Sequence, residues 1–281
     1  GGTLNIHNSV SSTITVNGTV NTYGNISLSG ANGVSSSGTL NVESGTLTYT
    51  SAGQGIQGTV NIKSGATLSS QTGDAVGYDY SCTVNVYGTL DLGTTRWTLG
   101  KNDLIRLYEG GVISGTGDSY AALDMNGASS GDEITIQASG DATISAPIRS
   151  QRHNYGVINV DEGYTLTVSG LITDTNTSGV SQGTRITKKG AGTLKLTNSS
   201  SKVPLIEEGS IELSGGNWNL ESQRDLEGYA VSDSATITVE QTQAEYGAGS
   251  VTIENVPDGA TVYVLKKDGT TVAATVSDTK A

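Results

Sequence analysis

Gly2-Thr3-Leu4-Asn5 returns as Gly18-Thr19-Val20-Asn21, Gly38-Thr39-Leu40-Asn41 and Gly58-Thr59-Val60-Asn61, and then, with cysteine in the glycine slot, as Cys82-Thr83-Val84-Asn85. The steps between copies are 16, 20, 20 and 24 residues. A four-residue word kept at that spacing is an internal repeat, each copy one supersecondary unit. Within the word an aliphatic residue alternates with Thr and Asn, the period-2 pattern of a strand with one buried face.

A second strand-like run follows each word after a short turn: Ile26-Ser27-Leu28, Thr46-Leu47-Thr48-Tyr49, Ala66-Thr67-Leu68. A Gly/Ser-rich loop then ends in Gly33-Val34, Gly55-Ile56 or Ala75-Val76. Each unit therefore reads as three short strands joined by turns. One unit cannot bury its apolar face alone; stacked units can, each backbone bonding to the rung above and below at about 4.8 Å. The crossover rule makes such coils right-handed. The expected fold is all-β: a right-handed, single-stranded parallel β-helix over 1–228. Beyond residue 92 the word fades but alternation persists in Leu104–Leu107, Ile134–Ile136, Val157–Val160, Thr165–Val168 and Ile211–Leu213, expected as later rungs.

Composition agrees. The 281 residues include 39 Gly, 3 Pro, no Phe and 1 Cys. A core of Val, Ile, Leu and Ala suits a narrow tube. Gly, Thr, Ser and Asn in this quantity disfavour a helical bundle. No run of about 18 apolar residues offers a membrane span, so no membrane insertion is expected of this segment. A single Cys builds no disulfide framework. Lys and Arg number 15 against 27 Asp and Glu, a net charge of −12, which disfavours nucleic acid as a partner. Gly1-Gly2-Thr3 lies in patterned sequence with no charged and apolar leader.

Lys188-Lys189-Gly190-Ala191-Gly192-Thr193-Leu194-Lys195-Leu196-Thr197, with Glu208-Gly209-Ser210-Ile211-Glu212-Leu213 as a later strand, resembles the autotransporter-associated β-strand repeat. The front half resembles the glycine-rich parallel β-helix repeats of bacterial cell-surface proteins, and together the two resemblances cover residues 2 to 220. They imply an extracellular or cell-surface bacterial protein, an adhesin or a stalk, monomeric within a longer surface chain. From about 229 the strands change character. Thr261–Leu265 and Thr271–Ala274 flank Lys266-Lys267-Asp268-Gly269-Thr270, a hairpin signal, and Asn255–Gly259 reads as another turn. Residues 229–281 are expected to form a small antiparallel, sandwich-like module or a C-terminal cap.

No catalytic or metal-binding motif is present. His7 and His153 read as turn residues and Cys82 as a small buried one. No cofactor is expected: calcium is suggested only by Gly115-Thr116-Gly117-Asp118, a nonapeptide-like word that occurs once. The longest mid-chain loops gather aromatic, acidic and basic residues in a chain poor in all three: Asp74, Tyr78, Asp79, Tyr80, Arg96, Trp97, Lys101, Asp103, Asp118, Tyr120 and Asp124. Aromatic faces stack on sugar rings while carboxylates and Arg bind hydroxyls, so this cluster is the expected ligand site, with a polysaccharide or surface glycan as partner. A non-catalytic glycan-binding adhesin or stalk is the leading reading. The alternative is a polysaccharide lyase or glycoside hydrolase, whose acid and base would come from Asp74, Asp79, Arg96, Lys101 and Asp103. A third is binding of ice through the Thr-x-Asn array.

Overall fold

In a computed structural model the described residues are 3–7, 11–13, 16–29, 34, 37–50, 57–70, 82–100, 103–116, 123–125, 133–150, 155–174, 186–221, 228–231, 235–240, 262–265 and 271–273. They are all-β and wind as a parallel β-helix. The first face stacks ten strands: Thr3–His7, Thr19–Tyr23, Thr39–Ser44, Thr59–Ile62, Thr83–Val86, Leu104–Leu107, Glu133–Ala138, Tyr155–Val160, Ile186–Lys189 and Leu205–Ile206. Eleven strands, from Ser11–Thr13 to Tyr229–Val231, build the second face. A third holds Trp97–Leu99, Leu123–Met125, Ile148–Ser150 and Ile172–Thr173. In the first coils the third side is marked by a parallel bridge between Val16 and Val34; Gly55-Ile56 and Ala75-Val76 lie outside the described residues.

The repeated word sets the register. Thr3 pairs with Thr19, Thr19 with Thr39, Thr39 with Thr59 and Thr59 with Thr83. One position further along, Leu4, Val20, Leu40, Val60, Val84, Ile105, Ile136 and Ile158 form one inward column. From Val20 to Ile158 that column is buried, each aliphatic side chain contributing about 1.5–3 kcal/mol. Leu4 holds the same register but is 49% exposed, because it packs against a described rung on one side only. Without Phe, the largest fully buried side chains among the described residues are Trp97 and Trp218.

The outward column is an amide ladder. Asn21 donates from Nδ2 to Asn5 Oδ1 (2.7 Å), Asn41 to Asn21 (2.7 Å), Asn61 to Asn41 (2.8 Å) and Asn85 to Asn61 (2.8 Å). It stops at Asn85, whose Oδ1 has no partner among the described residues. Arg106, next in the column, turns instead to Gln137 Oε1 at 3.1 Å.

Among the described residues, parallel pairing is found on both sides of residue 228. Tyr229–Val231 pairs in parallel with Ser210–Leu213, and Ala235–Glu240 pairs in parallel with Gly216–Glu221. Val262–Leu265 adds a further parallel strand. Among the described residues the single antiparallel pair joins Val262–Leu265 to Thr271–Ala273, flanking the expected hairpin. Parallel and antiparallel strands share the period of two, so alternation alone did not separate the tail from the solenoid. Ser250–Ile253 and Asn255–Gly259 lie outside the described residues.

Candidate functional site

Three polar clusters stand out among the described residues. On the third face, Thr98, Asp124, Arg149 and Thr173 form one column in register. By strand parity this column points away from the tube, yet all four residues are buried. Arg149 grips Asp124 with both prongs, Nη2 to Oδ2 at 2.7 Å and Nε to Oδ1 at 3.2 Å, the strong fork geometry of Arg with a carboxylate. Arg96 Nε approaches Asp124 Oδ2 to 4.0 Å, its side chain 35% exposed. Arg149 Nη1 has no partner among the described residues.

Arg96 and Asp124 thus come within 4.0 Å of each other, but Trp97 does not join them. It points inward with Leu99, has no exposed surface, and donates its indole N–H to Ser70 Oγ at 3.1 Å. It is a core residue and presents no ring to a sugar, a correction to the sequence reading that its parity with Leu99 already signalled. Asp103 is also buried. It braces a corner by accepting the Cys82 amide on Oδ1 (2.9 Å) and the Gly100 amide on Oδ2 (2.7 Å). Burial pushes its carboxyl up to about 6, against the pull of those two amides. Cys82 is buried beside it, and burial, followed by the Asp103 charge, pushes the thiol well above its ordinary value, the opposite of an activated nucleophile. Asp74, Tyr78, Asp79, Tyr80, Lys101, Asp118, Tyr120 and His153 lie outside the described residues.

The second cluster, on the first face, was not singled out from sequence. Tyr87 and Tyr108 directly follow Val86 and Leu107 at the ends of successive strands, and the rungs stack them. Their ring centroids are 4.0 Å apart and the planes 7° from parallel. Lys63 Nζ stands 5.8 Å from the Tyr87 centroid, a cation over an aromatic face. Arg106 Nη1 reaches Tyr108 Oη at 3.5 Å, and this donor lowers the Tyr108 phenol while its neighbour Tyr108 raises that of Tyr87. From Arg106 the network runs through Gln137 to Asp161, which also accepts from Ser139 Oγ at 2.7 Å and Asn159 Nδ2 at 2.9 Å. The signal available in sequence was the matching position of the two tyrosines in consecutive repeats.

The third cluster is Lys188. It occupies the inward column, in register between Ile158 and Ile206, with a fully buried side chain. Its ammonium is caged by backbone carbonyls, those of Lys189 (2.9 Å), Gly190 and Glu208 (3.0 Å). Burial lowers it to about 8, against the Glu208 charge that holds it up. Gly190 and Gly209 turn this corner at φ of +76° and +75°. A Cβ at Gly209 would strike the Gly190 and Gly192 carbonyls and come within 2.7 Å of Lys188 Nζ.

A groove of about 320 Å3 lies on the second face between Gly110, Asp141, Thr143, Thr165 and Thr167. Asp141 Oδ1 there accepts the Thr165 amide at 2.7 Å. Among the described residues no group of three or more His, Cys, Asp or Glu is placed to hold a metal ion. The chain matches no protein-family model, no curated protein and no solved structure.

Proposed function

We propose that the chain is a non-catalytic module of a secreted or cell-surface bacterial protein, a β-helical adhesin or stalk that presents glycan-binding side chains along a stiff rod. The observation that carries this reading is the continuous parallel stack of ten strands with a half-buried tyrosine pair and a polar network on its outer side. Every rung is bonded to its neighbours, the condition for a rigid solenoid. Among the described residues, the mid-chain carboxylates Asp91, Asp103 and Asp124 serve structure: Asp91 accepts from Ser69, Ser114 and the Gly93 amide, Asp103 braces a corner, and Asp124 is locked to Arg149. That commitment weighs against an acid–base pair working in a groove. The net charge of −12 favours neutral glycans over polyanionic ones. A glycan array with the purified chain, run beside a reducing-end assay, tests the reading. Binding without turnover is expected. Turnover would replace it with a lyase or glycosidase on the same scaffold.

A further inference from the structure

From the first-face cluster we infer a monosaccharide-stacking subsite on the outer face of the Tyr108 ring, built for a neutral sugar within a longer glycan; it rests on the glycan-binding reading above.

The two tyrosine rings lie nearly parallel and close on each other. One outer face of the pair, that of Tyr87, is taken by Lys63. On the other side the next rung places Ser139 at the position that Tyr87 and Tyr108 hold on theirs. The backbone shows the equivalence: Tyr87 N donates to Ile62 O, Tyr108 N to Val86 O and Ser139 N to Leu107 O, one step per coil. Serine ends at Oγ, and that hydroxyl is turned away to Asp161 at 2.7 Å. Among the described residues no third ring takes the next layer above Tyr108. Rungs lie about 4.8 Å apart, and stacked carbons need about 3.5–4.0 Å, so a pyranose ring fits that layer without parting the coils.

Polar groups flank the slot. Arg106 binds Tyr108 Oη and Gln137 through Nη1 and Nε, and its remaining guanidinium donors are available to sugar hydroxyls. Gln137, Ser139 and Asn159 are held in place by bonds to Asp161, a preorganised set that costs little to order on binding. The chain's net charge of −12 disfavours a uronic or sialic acid, whereas a neutral hydroxyl-rich ring meets the donors of Arg106 and the acceptor oxygens of Asp161 on the same network.

The test uses the whole chain and a responsive neutral oligosaccharide identified on a glycan array, followed by calorimetric titration. Ser139→Tyr adds a ring to the stack and fills the slot, so it should abolish binding while leaving the thermal midpoint equal or higher. Tyr108→Ala removes the platform and should weaken binding on the order of tenfold or more. If Ser139→Tyr binds with wild-type affinity, the subsite is wrong while the glycan-binding reading stands. If the wild-type chain retains only acidic glycans, the assignment to a neutral ring is overturned. If it retains no glycan at all, both fall.

Discussion

Lys188 stands in register with Ile158 on the neighbouring rung and points into the same core, yet its ammonium ends among three backbone carbonyls. The stem continues the aliphatic column and the head donates to three carbonyls of one corner.

Lys188→Met keeps the stem and removes the donors. Stability should fall by roughly 2–4 kcal/mol, since carbonyls bonded to a charged group lose their partner. Urea unfolding at neutral pH measures this; a variant as stable as the parent would mean that the caged ammonium contributes nothing.

Trp97→Ala should cost about 3–5 kcal/mol, the range for emptying a large aromatic site in a packed core. A melting curve that hardly moves would contradict its inward placement. Val60→Asp or Val84→Asp puts an unpaired charge at a fully buried position and should unfold the middle rungs, seen as loss of the β circular dichroism signal and of protease resistance.

Asp103 sets a pH dependence. Its folded value of about 6 lies above the ordinary 3.8, so between these values the folded chain holds a proton that the unfolded chain has released. The contribution is full below pH 3.8 and is lost as pH rises through 6, a change of roughly 2–3 kcal/mol. Urea midpoints of the parent and of Asp103→Asn, compared from pH 3.5 to 7, isolate it: the difference should narrow as pH falls. Parallel pH profiles would place Asp103 in water.

Asn61→Ala breaks the amide ladder on both sides and should cost about 1–2 kcal/mol. Arg106→Asn extends the ladder by offering Asn85 Oδ1 a donor, and should recover part of that when the two are combined. A double-mutant cycle in urea reads both, and no cost for Asn61→Ala would make the ladder incidental.

The fold was legible because the word Thr-Leu/Val-Asn carries its own register: the same letters in each coil leave one way to stack Leu40 on Val60 and Val60 on Val84, whatever the length of the loop between them. The tail was less legible, since Ala235–Glu240 alternates as an antiparallel strand would. At the candidate site, rarity misled: Trp97 drew notice as an aromatic in an aromatic-poor chain, while its parity with Leu99 argued for the core. Arg149 was missed because its partner Asp124 lies a full coil away, and nothing local marks the pair. Tyr87 and Tyr108 needed the repeats to be aligned past the point where the word itself had faded.

Neighbouring coils can be caught directly. In-register rungs bring the Cα atoms of residues 41 and 61 within the 4.4–6.8 Å that a disulfide spans, while residues 41 and 85 are two rungs apart, about 9.6 Å. Under mild oxidation the Asn41→Cys/Asn61→Cys chain should form the crosslink nearly completely, as read by peptide mass mapping, and the Asn41→Cys/Asn85→Cys chain should not. Equal crosslinking of both pairs, or of neither, would contradict the stacked β-helix.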